Sequence, residues 1–314
     1  MKKTLTAILT AAALATSFVL PAQAEGERFV LISHAPDSDS WWNTIKNAIK
    51  IAGEQMDVRV DYRNPPTGDL ADMARIVEQT AASNPDGIIV TIADFDVLKG
   101  PITAAIDQGI PVITINSGTA EQSEALGALM HIGQPEYTAG FEAGKRAKKE
   151  AGVKSFLCVN HYITNPASVD RCKGFADAIG ADVKSSMIDS GQDPAEIKNK
   201  VLAYLQAHPD TDAILTLGPT SAHPTLAALE ENGMAGEIYF GTFDLSGQIA
   251  EAIKNGVIAF AIDQQPFLQG YLPVVLLTNY KRYGVIPSGN INSGPGFITK
   301  DNIALVEKYA GVYR

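Results

Sequence analysis

The sequence predicts an α/β fold with two doubly wound domains, each built on a parallel β-sheet. Short apolar runs alternate with amphipathic helical patterns, which is typical of βαβ units. The pattern restarts after residue 133, so the chain divides into two similar halves. About 290 residues follow a leader-like start, which is enough for two domains of ordinary size.

Residues 1–24 have the features of a cleaved secretory signal peptide. Lys2 and Lys3 are basic, residues 5–20 are apolar, and residues 22–24 (Ala-Gln-Ala) form a small-x-small cleavage motif. The apolar stretch is too short and too weakly flanked for a membrane anchor. The cleavage point has no cysteine, so a lipid anchor is not expected. We therefore expect an exported, soluble protein of the periplasm.

The first half contains four predicted strands, at residues 28–33, 58–62, 87–92 and 111–115. The second alternates polar and apolar residues like an edge strand, whereas the third is continuously apolar and suits a central position. In the first helix, one face collects apolar residues at helical spacing, namely Trp42, Ile45, Ile49 and Ala52. A second helical pattern covers residues 70–81, and a short third one ends at Gly109.

The second half repeats this alternation. Its predicted strands are residues 155–160, 213–217, 238–242 and 257–262. Its predicted helices are residues 136–149, 168–179, a segment from Asp193, 225–231, 248–254 and a region around 273–277. The helix at Asp193 has a strong start, with Asp as N-cap, proline in the first turn and glutamate three residues on.

We expect an N-terminal domain of residues 25–133 plus 265–293 and a C-terminal domain of residues 134–264 plus 294–314. The chain then crosses between the domains three times, near residues 133–134, 264–265 and 293–294. Such crossings can act as hinges, and a cleft between domains is a preferred ligand site.

Charge and motifs exclude several classes of protein. The formal net charge is −10, and it becomes −12 without the two lysines of the signal peptide. An acidic protein is a poor partner for nucleic acid or anionic lipid. Nucleophile-elbow, dinucleotide-binding and metal-ligand spacings are missing, so we expect no enzyme activity, cofactor or metal. Asp94 and Asp96 are too close in sequence to favour a glycosidase.

The two cysteines are expected to be near each other. Cys158 lies in a predicted strand and Cys172 in the helix that follows it. A helix packed on its strand can bring two such residues within bridging distance, and an exported protein meets an oxidising compartment. A disulfide is the favoured interpretation, and two buried reduced thiols are the alternative. The Cys-x-x-Cys spacing of redox enzymes is missing.

Both tryptophans lie together where the first strand passes into the first helix. Ligands of open α/β sheets bind beyond the carboxyl ends of the strands. The flat faces of Trp41 and Trp42, beside polar side chains such as Asp39, suit a sugar or polyol. The alternative is that the indoles only pack the helix on the sheet.

Other polar loops also follow strand ends, at residues 94–96, 116–118 and 243–246. Asp39 and Asp94 have the alternative role of helix N-caps. Arg171 is near a helix start, where the dipole favours anions. We expect Asp170 or Asp244 to hold its guanidinium toward the cleft, with a weak surface ion pair as the alternative.

These features resemble the periplasmic sugar-binding proteins of the ribose-binding type, over essentially the whole mature chain. The most specific segments are Trp41-Trp42 and residues 86–90, 109–113, 171–175, 241–244 and 263–271. The resemblance implies the type I periplasmic-binding-protein fold and capture of a monosaccharide or small polyol by hinge closure. It also implies delivery to an inner-membrane ABC permease with its ATPase. A monomer is expected, and a chemoreceptor stays open as a further partner.

The resemblance also implies a set of ligand-binding residues. They are Asp39, Trp41, Trp42, Asp94, Asn116, Arg171, Asp244 and Gln264, with His161 and Asn165 as further contacts. One departure concerns residues 116–117, which are Asn-Ser where the family typically has Asp-Arg. The second half offers no clear aromatic residue for the opposite face of the ligand. Residues 158–161 together with Arg171-Cys172 resemble a subgroup of the family that handles pentoses, pentitols or related small sugars, and such a ligand is expected.

One alternative function stays open, and a second is excluded. A signalling receptor subunit that binds a furanose-like autoinducer would need nearly the same cleft. Regulators of the lactose-repressor type share the fold, but they need an N-terminal DNA-binding helix-turn-helix where this chain has a signal peptide.

Overall fold

The computed structural model describes residues 26–314, and the predicted signal peptide lies outside them. Two six-stranded sheets organise this part of the chain. The first sheet contains β1 (Arg28–Ile32), β2 (Arg59–Arg63), β3 (Gly87–Val90), β4 (Val112–Ile115), β5 (Met130–Gly133) and β11 (Ile291–Asn292). The second contains β6 (Phe156–Asn160), β7 (Met187–Asp189), β8 (Ala213–Thr216), β9 (Tyr239–Phe243), β10 (Phe260–Asp263) and β12 (Gly296–Ile298).

The two sheets have matching strand orders. The first runs β11-β5-β4-β3-β1-β2 and the second β12-β10-β9-β8-β6-β7. All pairs are parallel except that between β10 and β12. The predicted fold of two parallel-sheet α/β units is confirmed. Every predicted strand overlaps an observed one, whereas β5, β7, β11 and β12 were not predicted.

Helices follow the strands and cover the sheets. In the first half they are α1 (Trp42–Met56), α2 (Leu70–Ala82), α3 (Phe95–Asp107) and α4 (Ala120–Leu126). The others are α5 (Glu136–Ala151), α6 (Pro166–Ile179), α7 (Val183–Ser186), α8 (Pro194–Ala207), α9 (Pro219–Glu231), α10 (Gly247–Lys254) and α11 (Pro266–Tyr283). Two short 3₁₀ turns follow, at Ile303–Leu305 and Glu307–Tyr309.

The apolar faces predicted from periodicity point into the core. On α1, Trp42, Ile45, Ile49 and Ala52 are all buried. Strand β3 is buried along its whole length inside the sheet, while β2 is a partly exposed edge strand, as expected. Among residues 26–314, no helix combines the length and the apolar character needed to cross a membrane.

The chain passes between the two sheets at three places. It leaves the first sheet after Gly133 at the end of β5, and it leaves the second after Asp263 at the end of β10. It crosses a third time between β11 and β12, through residues 293–295. Helix α11 packs on α1, beside the first sheet, before the chain returns. The crossings lie next to one another, so they also bound the space between the halves.

Candidate functional site

A cavity lies between the carboxyl ends of the two sheets. Its volume is about 510 Å³, including its opening to solvent. The first half and the crossing after β10 supply His34, Asp39, Trp41, Trp42, Asn116, Ser117 and Gln264. The second half supplies His161, Tyr162, Asn165, Ala167, Ser168, Arg171, Leu217, Gly218, Pro219, Thr220 and Asp244. Both halves therefore contact anything held there.

One wall of the cavity is aromatic. The rings of Trp41 and Trp42 meet edge to face at 5.1 Å between centroids, and Trp42 meets His34 in the same way at 5.5 Å. His34 in turn stacks on Tyr162 of the second half at 5.7 Å. Trp42 also packs against Ile45 in the core, so its surface is shared between core and cavity. The wall thus spans both halves, because His34 and Tyr162 come from opposite sheets.

The carboxylate of Asp39 lies beside this wall. One of its oxygens, Oδ1, accepts a hydrogen bond of 3.1 Å from the backbone N–H of Trp41. Burial raises the pKa of Asp39, against the opposing effects of that hydrogen bond and of Lys46. The second oxygen keeps its acceptor capacity for a ligand in the cavity.

A chain of hydrogen bonds runs from the second half through the first and back again. The Nδ2 of Asn165 donates to Oγ of Ser117 at 3.2 Å, and that hydroxyl donates to Oδ1 of Asn116 at 3.1 Å. The Nδ2 of Asn116 donates to Oε1 of Gln264 at 3.1 Å. The Nε2 of Gln264 donates to Oδ1 of Asp244 at 2.8 Å. Residues of both halves and of one crossing are therefore held in one network.

Two members of this network have backbone conformations unusual for residues other than glycine. Asn116 has φ 58° and Asp244 has φ 63°, both in the left-handed region. Asn and Asp tolerate this region better than other L-residues, yet each such residue still costs about 1–3 kcal/mol. Conformations of this kind persist where surrounding contacts fix them. The network thus orients these two side chains before any ligand arrives.

Arg171 is held by a buried ion pair. Its Nε and Nη2 each donate to one carboxylate oxygen of Glu136, both at 2.7 Å, and its Nη1 donates to the carbonyl of Leu217 at 3.0 Å. The guanidinium carbon lies 4.4 Å from the centre of the Phe243 ring. Three of the five N–H groups are used in this way, so two remain for a ligand.

Close contact between α5 and α6 creates this pair. A Cβ on Gly140 would lie 2.0 Å from the carbonyl oxygen of Arg171, and one on Gly174 would lie 2.2 Å from that of Tyr137. Only glycine allows the two helix backbones to approach so closely. The approach places Glu136, at the start of α5, against Arg171 on α6.

Burial controls the charge of the titratable groups in the cavity. It raises the pKa of Asp244 to about 7, although Arg171 and the hydrogen bond from Gln264 act in the opposite direction. It lowers the pKa of both His34 and His161 to about 4, so these histidines are neutral near pH 7. Neutral imidazoles serve as hydrogen-bonding groups here.

A disulfide joins Cys158 on β6 to Cys172 on α6, with 5.8 Å between their Cα atoms. Both residues are fully buried. Because Cys172 follows Arg171 directly, the bond ties the helix that carries the guanidinium to the strand that precedes His161. The covalent link therefore fixes one part of the cavity wall.

The family of the chain follows from its match to known proteins. Residues 29–284 match the model of the periplasmic binding protein domain, a range that includes strands β2–β10, all of β1 but its first residue, and every residue that lines the cavity. The chain belongs to the periplasmic binding protein family. The predicted resemblance is therefore confirmed.

Three known proteins are similar to this chain in sequence or structure. A carbohydrate transporter from Acidothermus cellulolyticus, solved in complex with myo-inositol, is 31% identical with a TM-score of 0.83, over 91% of this chain and 98% of that one. A periplasmic sugar-binding protein from Legionella pneumophila is 25% identical with a TM-score of 0.78, over 85% and 99% of the two chains. The xylose/arabinose-binding protein XylF of Sulfolobus acidocaldarius is 25% identical over 90% of this chain and 74% of its own length.

The cavity brings together nearly all of the residues predicted from the sequence of this periplasmic binding protein. They are Asp39, Trp41, Trp42, Asn116, Arg171, Asp244 and Gln264, with His161 and Asn165. Asp94 lies apart from them. Its Oδ1 accepts a hydrogen bond of 3.0 Å from the backbone N–H of Val97, so it caps α3, which was its alternative role.

One expectation about neighbouring side chains was wrong. The guanidinium of Arg171 is held by Glu136 instead of Asp170 or Asp244, because α5 crosses α6 in close contact. The second half contributes Tyr162, which lies two positions after β6 ends and joins the aromatic wall by stacking on His34. Its place after a strand end is the signal that could have revealed it.

Two further residues of the site were not among the predicted ligand contacts. Ser117 follows Asn116 in a polar loop and forms the bond to Asn165. His34 lies two positions after β1 ends, and its Nδ1 lies 3.0 Å from Oγ1 of Thr91. Among residues 26–314, no group of three or more His, Cys, Asp or Glu side chains is arranged to hold a metal ion.

Proposed function

We propose that this protein captures a monosaccharide or small polyol in the cavity between its two halves and delivers it to an ABC importer. The observation that carries this proposal is the pairing of an aromatic wall with oriented carboxylate, amide and guanidinium groups. A sugar has apolar C–H faces that pack on aromatic rings. Its hydroxyl edges both donate and accept hydrogen bonds, which suits such a mixed lining.

The names of the relatives support the same class of ligand. They include a protein bound to myo-inositol and a xylose/arabinose-binding protein. We therefore extend the expected ligands from pentoses and pentitols to cyclic polyols. Sugar import is favoured over the signalling alternative, because the relatives are named for sugar binding and transport. We propose a periplasmic location and no enzymatic turnover on the same ground.

Binding is proposed to couple to closure of the two halves. The predicted domains, residues 25–133 plus 265–293 and 134–264 plus 294–314, would rotate about the three crossings. Groups from both halves line the cavity, so a ligand gains its full contacts only when the halves are close together. It then favours the closed state by its differential affinity for that state.

A thermal-shift screen tests this function. The probes are pentoses, hexoses, pentitols and myo-inositol, added to the mature protein. A ligand that binds the folded state stabilises it by about 2.7 kcal/mol at a hundred times its Kd, which raises the melting temperature. If none of these compounds raises the melting temperature, the proposal is contradicted.

A variant then tests whether the ligand binds in the cavity. Asp244→Ala should weaken the best ligand by about 1–3 kcal/mol in calorimetry, because hydrogen bonds to the ligand are lost. Asp96→Asn is the matched control, since its side chain is 87% exposed and lies outside the cavity. Equal affinities in the two variants would place the ligand elsewhere.

A further inference from the structure

The charged groups that line the cavity are unbalanced. Two carboxylates, Asp39 and Asp244, face the space together with one cation, Arg171. Both histidines of the lining are neutral near pH 7, because burial lowers the pKa of each to about 4. Burial raises the pKa of Asp244 to about 7, so this carboxyl carries only part of a negative charge at neutral pH, and the surplus of negative charge that a ligand meets comes mainly from Asp39.

The positive charge of Arg171 is already compensated. Glu136 binds the guanidinium through both carboxylate oxygens at 2.7 Å, in a pair that is almost fully buried. Asp244 also interacts with this guanidinium. An anionic ligand group placed against Arg171 would thus approach two carboxylates as well. Arg171 offers N–H donors to a ligand, with little net attraction for an anion.

Besides the start of α6, whose Ala167 and Ser168 also line the cavity, the start of α9 is a source of positive potential there. A helix N-terminus attracts anions through its free N–H groups. Here Asp244 already faces that end, since a Cβ on Gly218, the residue that begins the turn into α9, would lie 3.5 Å from its Oδ2. The site therefore has its own carboxyl group at this position.

Asp39 is only partly compensated, by the backbone N–H of Trp41 and by the charge of Lys46. It forms no ion pair with any residue of the described chain, and its one hydrogen bond comes from the backbone N–H of Trp41. The Nζ of Lys46 lies 4.8 Å from the centre of the Tyr62 ring and forms no ion pair with Asp39. The pKa of Asp39 is raised by burial, so its negative charge is costly in the empty cavity. A positive ligand group would relieve this cost, and a negative one would add to it.

We propose that Asp39 makes the cavity selective for charge, so that it accepts neutral polyols and polyols with an ammonium group and rejects sugar acids and sugar phosphates. Amino sugars and aminocyclitols are the ligand class that complements this lining. The inference rests on the proposed function and specifies the ligand class of the same site. Asp39 acts as the specificity-determining residue, because its free oxygen and unpaired charge face the ligand.

Calorimetry with sets of matched probes tests the proposal. One set is D-glucose, D-glucosamine and D-glucuronate, and a second is myo-inositol, an aminodeoxyinositol and an inositol monophosphate. A third is D-xylose with its amino-deoxy and phosphate derivatives. Each is measured with the wild-type protein, with Asp39→Asn and with Asp96→Asn. The asparagine at position 39 can still accept the bond from Trp41, and Asp96→Asn removes the same charge at an exposed site.

For the wild-type protein we expect the acidic member of a set to bind at least about a hundredfold more weakly than its neutral parent, and the amino member within about tenfold of it. Asp39→Asn should reduce the discrimination against the acid by about tenfold and weaken the amino member relative to the parent by a similar factor. Asp96→Asn should change neither ratio.

Several results would overturn the inference while leaving the proposed function intact. The first is a Kd for an acid within about threefold of the Kd of its neutral parent. The second is an affinity more than about tenfold below that of the parent for every amino member. The third is that the ratios of Kd values within a set are identical in Asp39→Asn and Asp96→Asn. If only amino members bind, charge selection stands and capture of neutral sugars fails. If no member of any set binds and the wider screen is also negative, both proposals are wrong.

Discussion

Replacing Glu136 by glutamine tests how the arginine of the cavity is positioned. Glu136 is the carboxylate that holds the guanidinium of Arg171, and it accepts two hydrogen bonds of 2.7 Å from it. Glutamine keeps the shape and volume of the side chain. It removes the negative charge, and its NH₂ group faces a guanidinium N–H, so one donor is left opposite another donor.

The magnitude follows from the burial of the pair. The side chains of Arg171 and Glu136 are 9% and 5% exposed, so solvent cannot replace the lost partner. Leaving one charge of a buried pair uncompensated costs about 3–5 kcal/mol of unfolding free energy, and glutamine should fall near the lower end. Loss of one charge-assisted bond to the ligand, when Arg171 shifts, costs about 1.5–3 kcal/mol, or roughly tenfold to a hundredfold in Kd.

Urea denaturation and calorimetry measure the two effects. Glu142→Gln is the control, because Glu142 lies on the same helix in an exposed pair with Lys145 and should change the unfolding free energy by less than about 0.5 kcal/mol. A pH series adds a second readout. Glu136 raises the pKa of Asp244, so Glu136→Gln should move the pH dependence of affinity to lower pH. If Glu136→Gln and Glu142→Gln behave alike in stability and affinity, Glu136 does not position Arg171.

Two further predictions concern stability. Burial raises the pKa of Asp244 to about 7, so the stability linked to its protonated form is lost as pH rises through that value. The ligand-free variant Asp244→Asn should therefore gain stability relative to the wild type as the pH is raised from acidic to alkaline values. A difference in melting temperature that does not change with pH would contradict this. The disulfide closes a loop between residues 14 apart in sequence, so the Cys158→Ala/Cys172→Ala variant should lose about 2–4 kcal/mol of unfolding free energy, measured by urea denaturation. An unchanged urea midpoint at an unchanged slope would show that the bond contributes nothing to stability.

The fold was largely predictable because its signals are local. The spacing of Trp42, Ile45 and Ile49 is a property of one helix, and each residue is buried as the spacing requires. The long apolar runs also mark their strands without knowledge of any partner. By contrast, β11 and β12 are only two and three residues long and pair with strands distant in sequence. Such segments are too short to show a period, so they were not predicted.

Most of the candidate site was predictable for a related reason. In a parallel sheet the carboxyl ends of the strands lie at one edge, so polar residues after those ends gather there. Asn116 and Asp244 follow β4 and β9 directly and line the cavity together. Asp94 also follows a strand, but its carboxylate caps α3. Position after a strand cannot distinguish capping from lining, because that depends on where the side chain points.

The sequence alone therefore determined the two α/β halves, the positions of their main strands and helices, and the loops that build the cavity. Only the tertiary structure decided which groups meet across it. The pairing of Arg171 with Glu136 needs two helices in backbone contact, and the stacking of His34 on Tyr162 needs the two halves to face each other. Periodicity records which face of an element is apolar. Distances between residues far apart in the chain are set by packing, and packing decides the charge and shape that a ligand encounters.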